Sequence, residues 1–274
     1  MIGIKKGGLF MNLFVYDPKT KVEIIKNSVD KKNYYVYNIS SGMENWSQRK
    51  SQYVYKNKDF ISNAYSFCNV HMMTMALDYL GYLNKYSSKF NDIYPILPRF
   101  PDKLAKFLFE DKRVLDFYKS IDPIDYKNFR NGVKNASGPN EIHQVLSFGT
   151  NLFLGLGNVT QFSTNVSWFD IVNDIVYDSL PVGISGKFSG LNHIILVVGV
   201  AYSELGEGNK PSLTQQPDYL IVDDPFGKTY EYSKGLSGND VWIPFDKCIK
   251  DFKNLNNVKY KFAHRFVRPE DLGI

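Results

Sequence analysis

Cysteine is scarce in this chain: of its 274 residues, Cys68 and Cys248 are the two cysteines. Two cysteines cannot form a disulfide framework, and no Cys-x-x-Cys spacing suggests a zinc site. The sequence therefore predicts no disulfide-stapled domain, no metal and no other cofactor. A reducing compartment is the simpler interpretation.

Long apolar runs are also missing at the start of the chain. The first 15 residues are interrupted by Lys5, Lys6, Gly7, Gly8 and Asn12, so they are too short and too polar for a signal peptide or a membrane span. We therefore expect a protein that is made in the cytoplasm without a signal peptide and that has no integral membrane segment. If the protein acts outside the cell that makes it, another agent must release it.

Charge of one sign is not concentrated anywhere. The formal net charge is +5 and the pI is about 8.9, with the basic residues dispersed and no stripe of alternating basic and aromatic residues. This distribution does not indicate a nucleic-acid partner. A weak attraction to anionic polymers or membranes is compatible with it.

Apolar and aromatic residues are plentiful, at 43% and 15% of the chain, which is enough for a substantial core. Helical patterns come first and a run of strands follows, which favours an α+β fold with an antiparallel sheet. There are no repeats or low-complexity segments. We expect an N-terminal β extension over residues 1–40 and one domain over residues 41–274.

Hydrophobic periodicity and turn residues predict the individual elements. Helices are predicted at Cys68–Leu80, Pro101–Tyr118, Pro139–Leu146 and Trp168–Leu180. Residues 40–66, 84–100 and 121–138 are predicted to be loops or connections. Strands are predicted at Leu13–Tyr16, Val22–Ile25, Tyr34–Tyr37, Pro181–Ser185, His193–Val200, Tyr219–Asp223, Thr229–Tyr232 and Val258–His264.

Cys68 begins the apolar helix that follows a polar loop. The N-terminus of a helix carries free N–H groups and a partial positive charge, and both favour the reactive thiolate. A lone cysteine is more often a small buried hydrophobe. Cys68 becomes a candidate nucleophile only if a base and a group that orients the base can be found.

His193 and Asp224 are the candidates for those two groups. His193 stands at the start of the most apolar strand, where a side chain can face a cleft. Asp224 follows the next strand and precedes Pro225, which restricts its backbone to an extended form. Taken singly, each has a plain structural interpretation, as a strand cap or a solvated turn residue. Cys68, His193 and Asp224 in this order are more specific than any one of them.

In order and placement, these residues resemble the papain-like cysteine peptidases. The similarity is greatest to the bacteriocin-processing branch, which includes bacterial and phage cell-wall lysins. It covers about residues 45–265 and is carried by four segments. They are NWSQRKSQY (Asn45–Tyr53), CNVHMMTMALDYLG (Cys68–Gly81), LPVGISGKFSGLNHIILVVGV (Leu180–Val200) and YLIVDDPFG (Tyr219–Gly227).

The resemblance implies a nucleophile helix packed on an antiparallel sheet, and it implies a role for each matching residue. Cys68 would be the nucleophile, His193 the general base and then acid, and Asp224 the orienting group. Gln48 would donate a hydrogen bond to the oxyanion together with the Cys68 N–H. Gln48 lies twenty residues before Cys68, which is farther than this branch leads us to expect. Gln52 and Asn63 are therefore alternatives for that donor.

Two other positions depart from the pattern of this branch. Asn192 stands where a glycine usually precedes the histidine, and His71 stands where a hydroxyl residue is typical. His71 lies three residues after Cys68 on the same helix face, near enough to touch it. We expect it to be a partly buried helix residue without a chemical role, although it could also raise the thiolate character of Cys68. Cys248 lies in an amphipathic segment and is expected to be structural.

The sequence therefore predicts a cysteine-type peptidase or amidase that acts on a peptide or on peptidoglycan, such as a phage or bacterial lysin. One alternative is a non-catalytic binding module on the same fold, because a fold does not determine a function. Another is an acyl or amide transferase that uses the same three residues. Residues 84–100 and 121–165 are the expected walls of the cleft.

Overall fold

The computed structural model describes residues 18–40, 46–85, 92–188, 192–206, 210–212, 214–227, 238–253 and 263–274. Within these ranges the protein is a mixed α and β structure in which helices pack on both faces of one antiparallel sheet. The predicted α+β class with an antiparallel sheet is therefore confirmed.

The strands fall into one large sheet and one small hairpin. The large sheet has eight strands in the order β1-β2-β7-β6-β10-β5, and β8 and β9 lie along the other edge of β7. All of these pairings are antiparallel, as is that of β3 with β4 in the hairpin. The strands are β1 Val22–Lys26, β2 Asn33–Asn38, β3 Tyr55–Asn57, β4 Phe60–Ser62, β5 Thr160–Ser163, β6 Val182–Gly186, β7 His193–Tyr202, β8 Tyr219–Asp223, β9 Val241–Pro244 and β10 Ala263–Phe266.

The helices lie in two groups on the two faces of the sheet. In chain order they are α1 Cys68–Tyr79, α2 Tyr82–Lys85, α3 Phe100–Glu110, α4 Lys112–Ile121, α5 Pro123–Arg130, α6 His143–Leu154, α7 Trp168–Val176 and α8 Phe245–Lys253. The first face is covered by the group around α1, and the second face by α7 and α8. None of the helices in the described ranges combines the length and the apolar character needed to cross a lipid bilayer.

Strand β7 is the centre of the sheet, and all ten of its residues are buried. Leu196 and Val198 contribute to the core around α1, whereas Val197 and Val200 contribute to the core around α7 and α8. A shift of register between Val197 and Gly199 explains why Val197 and Val200 share a face. Helix α1 is buried in the first core over most of its circumference, as its apolar sequence predicts.

Most predicted helices and strands form, and their bounds differ in ways that local chemistry explains. The prediction of one helix over Pro101–Tyr118 is wrong, because the helical conformation is interrupted at Asp111. The Asp111 side chain accepts a hydrogen bond from the Arg113 N–H and caps the start of a new helix, α4. The helix predicted to begin at Pro139 begins instead at His143. It continues to Leu154, where Gly155 takes the left-handed conformation (φ 68°).

Residues 121–138 were predicted to be a connection, and this was wrong for their first half. Pro123 does not break a helix there but starts one, α5, because proline at the first helical position sacrifices no intrahelical hydrogen bond. The Asp122 side chain caps this helix by accepting from the Asp125 N–H.

Several short strands were not predicted. They are β3 and β4, which lie within the segment expected to be mostly loop, and also β5 and β9. The predicted strands Leu13–Tyr16 and Thr229–Tyr232, and most of Val258–His264, lie outside the described residues. Strand β2, from the segment expected to be an extension, pairs directly with β7.

Candidate active site

Cys68 lies at the first position of α1, behind a tightly organised turn. The Asn63 side chain accepts from the Tyr65 N–H and caps a short 3-10 helix, Ala64–Ser66. Phe67 then buries its ring completely and stacks on Tyr53, with ring centroids 6.1 Å apart. This anchored ring fixes the backbone immediately before Cys68, so the thiol is held half-buried at the helix start.

His193 and Asp224 meet because β7 and β8 are antiparallel neighbours. The beginning of β7 and the end of β8 therefore lie at the same end of the sheet. His193 Nε2 is 2.7 Å from Asp224 Oδ1, and both side chains are buried. The Phe226 N–H also donates to Asp224 Oδ1, at 2.8 Å, which fixes the direction of the carboxylate.

The Cys68 thiol and the His193 ring lie side by side on one cavity, close enough for the thiol to act on the pKa of His193. The Cys68 Sγ also lies 3.5 Å from the Asn69 Oδ1. Because Nε2 already contacts Asp224, the ring nitrogen left for the thiol is Nδ1. Burial alone lowers the pKa of His193, but the interactions with Asp224 and Cys68 outweigh it and raise the pKa to about 10. The structure thus brings Cys68, His193 and Asp224 into one chain of contacts with a positively charged imidazole in the middle.

Gln48 lies beside this chain of contacts. Its side chain is almost completely buried (1% exposed), and its Nε2 donates to the Tyr65 carbonyl at 3.2 Å. Its backbone N–H donates to the Pro225 carbonyl at 2.8 Å. Gln48 therefore ties the loop before Cys68 to the turn that carries Asp224, and one amide N–H remains beyond the bond to Tyr65.

The two alternatives to Gln48 are placed differently. The Gln52 side chain is exposed, and it is the backbone N–H of this residue that is used, in a bond to Asp102. The Asn63 side chain oxygen caps the 3-10 helix. Gln48 is thus the one of the three whose side chain is both buried and directed at the loop before Cys68.

An aromatic cluster covers the outer side of these groups. The Phe226 ring lies edge-on to His193, with centroids 6.4 Å apart, and 6.1 Å from the Tyr65 ring. The Arg49 guanidinium lies over the Phe226 ring, 4.3 Å from its centroid. The Tyr65 ring is itself exposed, so this cluster forms part of the protein surface beside His193.

Cys68 and His193 open into a cavity of about 590 Å³. A space of this size holds a short stretch of substrate chain. Asn192, the unusual residue before His193, is exposed on this cavity. The lining residues are Tyr65, Ser66, Cys68, Asn69, Ser137, Glu141, His143, Ser185, Asn192 and His193.

His71 lies inside the protein. It is completely buried, where partial burial was expected, and its Nδ1–H donates to the Phe67 carbonyl at 2.9 Å. Burial lowers the pKa of His71 to about 4, so the ring is neutral near pH 7. The charges that act on it are those of Arg99 and Asp102, just before and within α3. A neutral ring facing these groups offers no charge to the thiol.

The other candidate ligands do not gather around a metal. In the described part of the chain, no group of three or more His, Cys, Asp or Glu side chains has the arrangement of a metal site. His143 and His264 are both buried and contact each other, with Nδ1 of His143 2.7 Å from Nε2 of His264. Cys248 is buried in α8, and burial raises the pKa of its thiol.

Some residues that shape the site carried no signal in the sequence. Asp102 and Asn140 hold the loops around Cys68 through contacts with residues that are distant in the chain. Phe226 belongs to the segment YLIVDDPFG that carries part of the resemblance, but its contact with Arg49 depends on the fold.

No family model, curated protein or solved structure matches this chain.

Proposed function

We propose that this protein is a papain-like cysteine peptidase that hydrolyses an amide bond at Cys68. The observation that carries the proposal is the chain of contacts from the Cys68 thiol through the His193 ring to the buried Asp224 carboxylate, facing a cavity. A nucleophile, a base and an orienting group in contact are the pattern of covalent acyl transfer. The resemblance of four sequence segments to the bacteriocin-processing branch supports the same reaction.

The papain-like arrangement is supported by the relation between α1 and the sheet. The nucleophile is at the head of a buried helix, while the histidine and the aspartate come from the ends of two adjacent antiparallel strands. Peptide chains, and the peptide part of peptidoglycan in particular, are the proposed substrates. The 590 Å³ cavity beside the thiol has room for such a chain.

In the proposed reaction the Cys68 thiolate attacks the carbonyl carbon, and the new C–S bond moves an electron pair onto the oxygen. The Cys68 N–H and the free amide N–H of Gln48 stabilise this oxyanion. The C–N bond then breaks, and the His193 imidazolium gives its proton to the leaving amine. A water molecule loses a proton to His193 and attacks the thioester carbonyl. The C–S bond then breaks, which releases the carboxylic acid and restores the pair of thiolate and imidazolium.

The first prediction concerns the reactivity of Cys68. A positively charged His193 in contact with the thiol favours the thiolate, so iodoacetamide at about pH 7 should alkylate Cys68 at least tenfold faster than a free thiol. His193→Ala should lower this rate to that of a free thiol. Cys248→Ala is the control and should leave the rate unchanged, because Cys248 is buried in α8.

An alkylation rate in the native protein equal to that of a free thiol would contradict the proposal.

Turnover provides the second measurement. Cys68→Ser should abolish hydrolysis of peptides or of purified peptidoglycan while circular dichroism shows an unchanged fold. Retained turnover in this variant would show that another residue is the nucleophile.

A further inference from the structure

Glu141 lies on the wall of the active-site cavity, in a loop that is fixed relative to Cys68. Asn69, the residue after the nucleophile, donates its side-chain N–H to the Asn140 carbonyl at 2.5 Å. The Asn140 side chain in turn donates to the Ser66 carbonyl at 2.7 Å, and Asn140 is completely buried. These two bonds attach the loop of Glu141 to both sides of Cys68.

The turn before this loop depends on a glycine. Gly138 has a φ of +77°, and a side chain at this position would collide with the Phe60 ring. The Glu141 N–H donates back to the Gly138 carbonyl at 3.2 Å and closes the turn. The backbone at Glu141 is thus set by a tight turn and by two hydrogen bonds from side-chain amides, and its side chain faces the cavity.

The carboxylate of Glu141 has no ionic partner in the described part of the protein, where neither a hydrogen bond nor an ion pair involves it. The described lining of the cavity also contains no lysine and no arginine. The side chain is exposed to the water of the cavity, although the cavity walls displace part of its hydration. This partial burial raises the pKa of Glu141 to about 7, and the neighbouring carboxylate of Asp125 adds to the rise.

We propose that Glu141 is a specificity-determining residue that binds a primary ammonium group carried by the substrate close to the scissile amide. The inference rests on the proposed function, because it assigns a substrate class to the same cavity. An ammonium group supplies the hydrogen-bond donors and the positive charge that a carboxylate without a partner needs. The preferred substrates are therefore peptides with a lysine or another diamino-acid side chain next to the cleaved bond.

The Cys68 thiol itself can report the charge of the cavity without a known substrate. The probes are the cationic 2-aminoethyl methanethiosulfonate and the anionic 2-sulfonatoethyl methanethiosulfonate, which both react with the thiolate. Because both reagents react with the thiolate, the ratio of their rates does not depend on the fraction of thiolate. The ratio therefore measures the preference of the cavity for a positively charged reagent. At about pH 8 the ratio of cationic to anionic rate should fall about tenfold in Glu141→Gln, the effect of one charge-assisted contact.

Glu23→Gln is the matched control, since it removes the same charge from the exposed edge strand β1. It should leave the ratio at the native value. Acidification provides a second measurement that needs no variant. Between about pH 8 and pH 5.5 the native ratio should fall towards that of Glu141→Gln, because the carboxylate is protonated over this range.

The other titratable groups that face Glu141 do not explain such a change. His193 remains positively charged throughout, since its pKa is raised to about 10. His143 remains neutral throughout, because burial lowers its pKa to about 4. Asp125 faces Glu141 from α5 and forms hydrogen bonds to the Tyr118 hydroxyl and the Ser137 N–H. A ratio that follows pH in the native protein but not in Glu141→Gln therefore belongs to Glu141.

Substrate cleavage completes the test. Peptides with lysine next to the cleaved bond should be hydrolysed about tenfold faster than the same peptides with acetyl-lysine, and Glu141→Gln should abolish this preference. Fast modification that depends on His193 but shows no charge preference would overturn the role of Glu141 and leave the peptidase proposal standing. Modification as slow as that of a free thiol with both reagents would overturn both.

Discussion

Gln48 shows at the scale of single residues how the site depends on one side chain. Its side-chain amide donates to the loop before Cys68, and its backbone N–H donates to the turn after Asp224. The bond from its Nε2 to the Tyr65 carbonyl sets the orientation of this buried amide. The remaining N–H is the group that we assign to the oxyanion.

Gln48→Ala should lower kcat about 100-fold to 1000-fold with little change in KM, because an oxyanion donor acts mainly on the transition state. Gln52→Ala is the matched control and should stay near the native kcat, since the Gln52 side chain is exposed. Steady-state kinetics on a common peptide measure both variants. A large loss in Gln52→Ala with a small one in Gln48→Ala would reverse the assignment.

The elements around the site are joined by a few buried polar contacts, of which those of Asp102 in α3 are the most concentrated. Its Oδ1 accepts from the Ser51 hydroxyl, from the Gln52 N–H at 3.0 Å and from the Tyr53 N–H at 3.1 Å. Arg99, just before the same helix, donates to the Ser47 carbonyl at 3.3 Å. Helix α3 therefore holds the segment of Gln48 from both ends.

Asp102→Ala should loosen this segment and leave buried donors without an acceptor. We expect the free energy of unfolding to fall by about 2–4 kcal/mol in a urea titration. The kcat should fall as in Gln48→Ala, whereas alkylation of Cys68 by iodoacetamide should remain fast, because the contact between Cys68 and His193 does not involve α3. Slow alkylation would show that the loss is a general collapse of the site.

Asp116→Ala serves as the control for a carboxylate on a neighbouring helix. Its ion pair with Lys112 is exposed on α4, and such pairs contribute little to stability. The Asp116→Ala variant should therefore keep both the native stability and the native kcat. A loss in this control as large as in Asp102→Ala would contradict a special role for α3.

The stability of the whole molecule should depend on pH through Asp223, at the end of β8. This side chain is buried, and its Oδ1 accepts from the Asp240 N–H at 2.9 Å. Burial raises the pKa of Asp223 to about 7 in the folded state, whereas an unfolded aspartate titrates near 4. Between these values the folded protein binds more protons than the unfolded chain. Its stability should therefore fall as the pH rises through this window.

Asp223→Asn keeps the acceptor for Asp240 but cannot ionise. Thermal unfolding followed by circular dichroism should show that the native Tm falls by several degrees more than the variant Tm between about pH 5 and pH 8. Each 1 kcal/mol corresponds to about 2–4 °C for a chain of this size. Parallel pH profiles for the two proteins would show that Asp223 titrates normally.

Local chemistry explains which parts of the fold could be predicted. The apolar stretch after Cys68 and the apolar run after His193 have clear periods or lengths, and both form the predicted elements. Helix α5 was missed because proline disrupts the interior of a helix but is favoured at its first position, where Pro123 lies. The short strands β5 and β9 were missed because pairing with neighbouring strands, rather than a pattern of their own, makes them strands.

By itself, the sequence determined that α1 starts at Cys68, that the strand starting at His193 is buried, and that Asp224 follows the next strand. These are local properties of composition and periodicity. The tertiary structure alone decided that Cys68 contacts His193, that Gln48 rather than Gln52 is buried beside them, and that Glu141 faces the cavity. The reason is physical: such contacts join residues distant in the chain, and the strand order and helix packing of the whole protein set them.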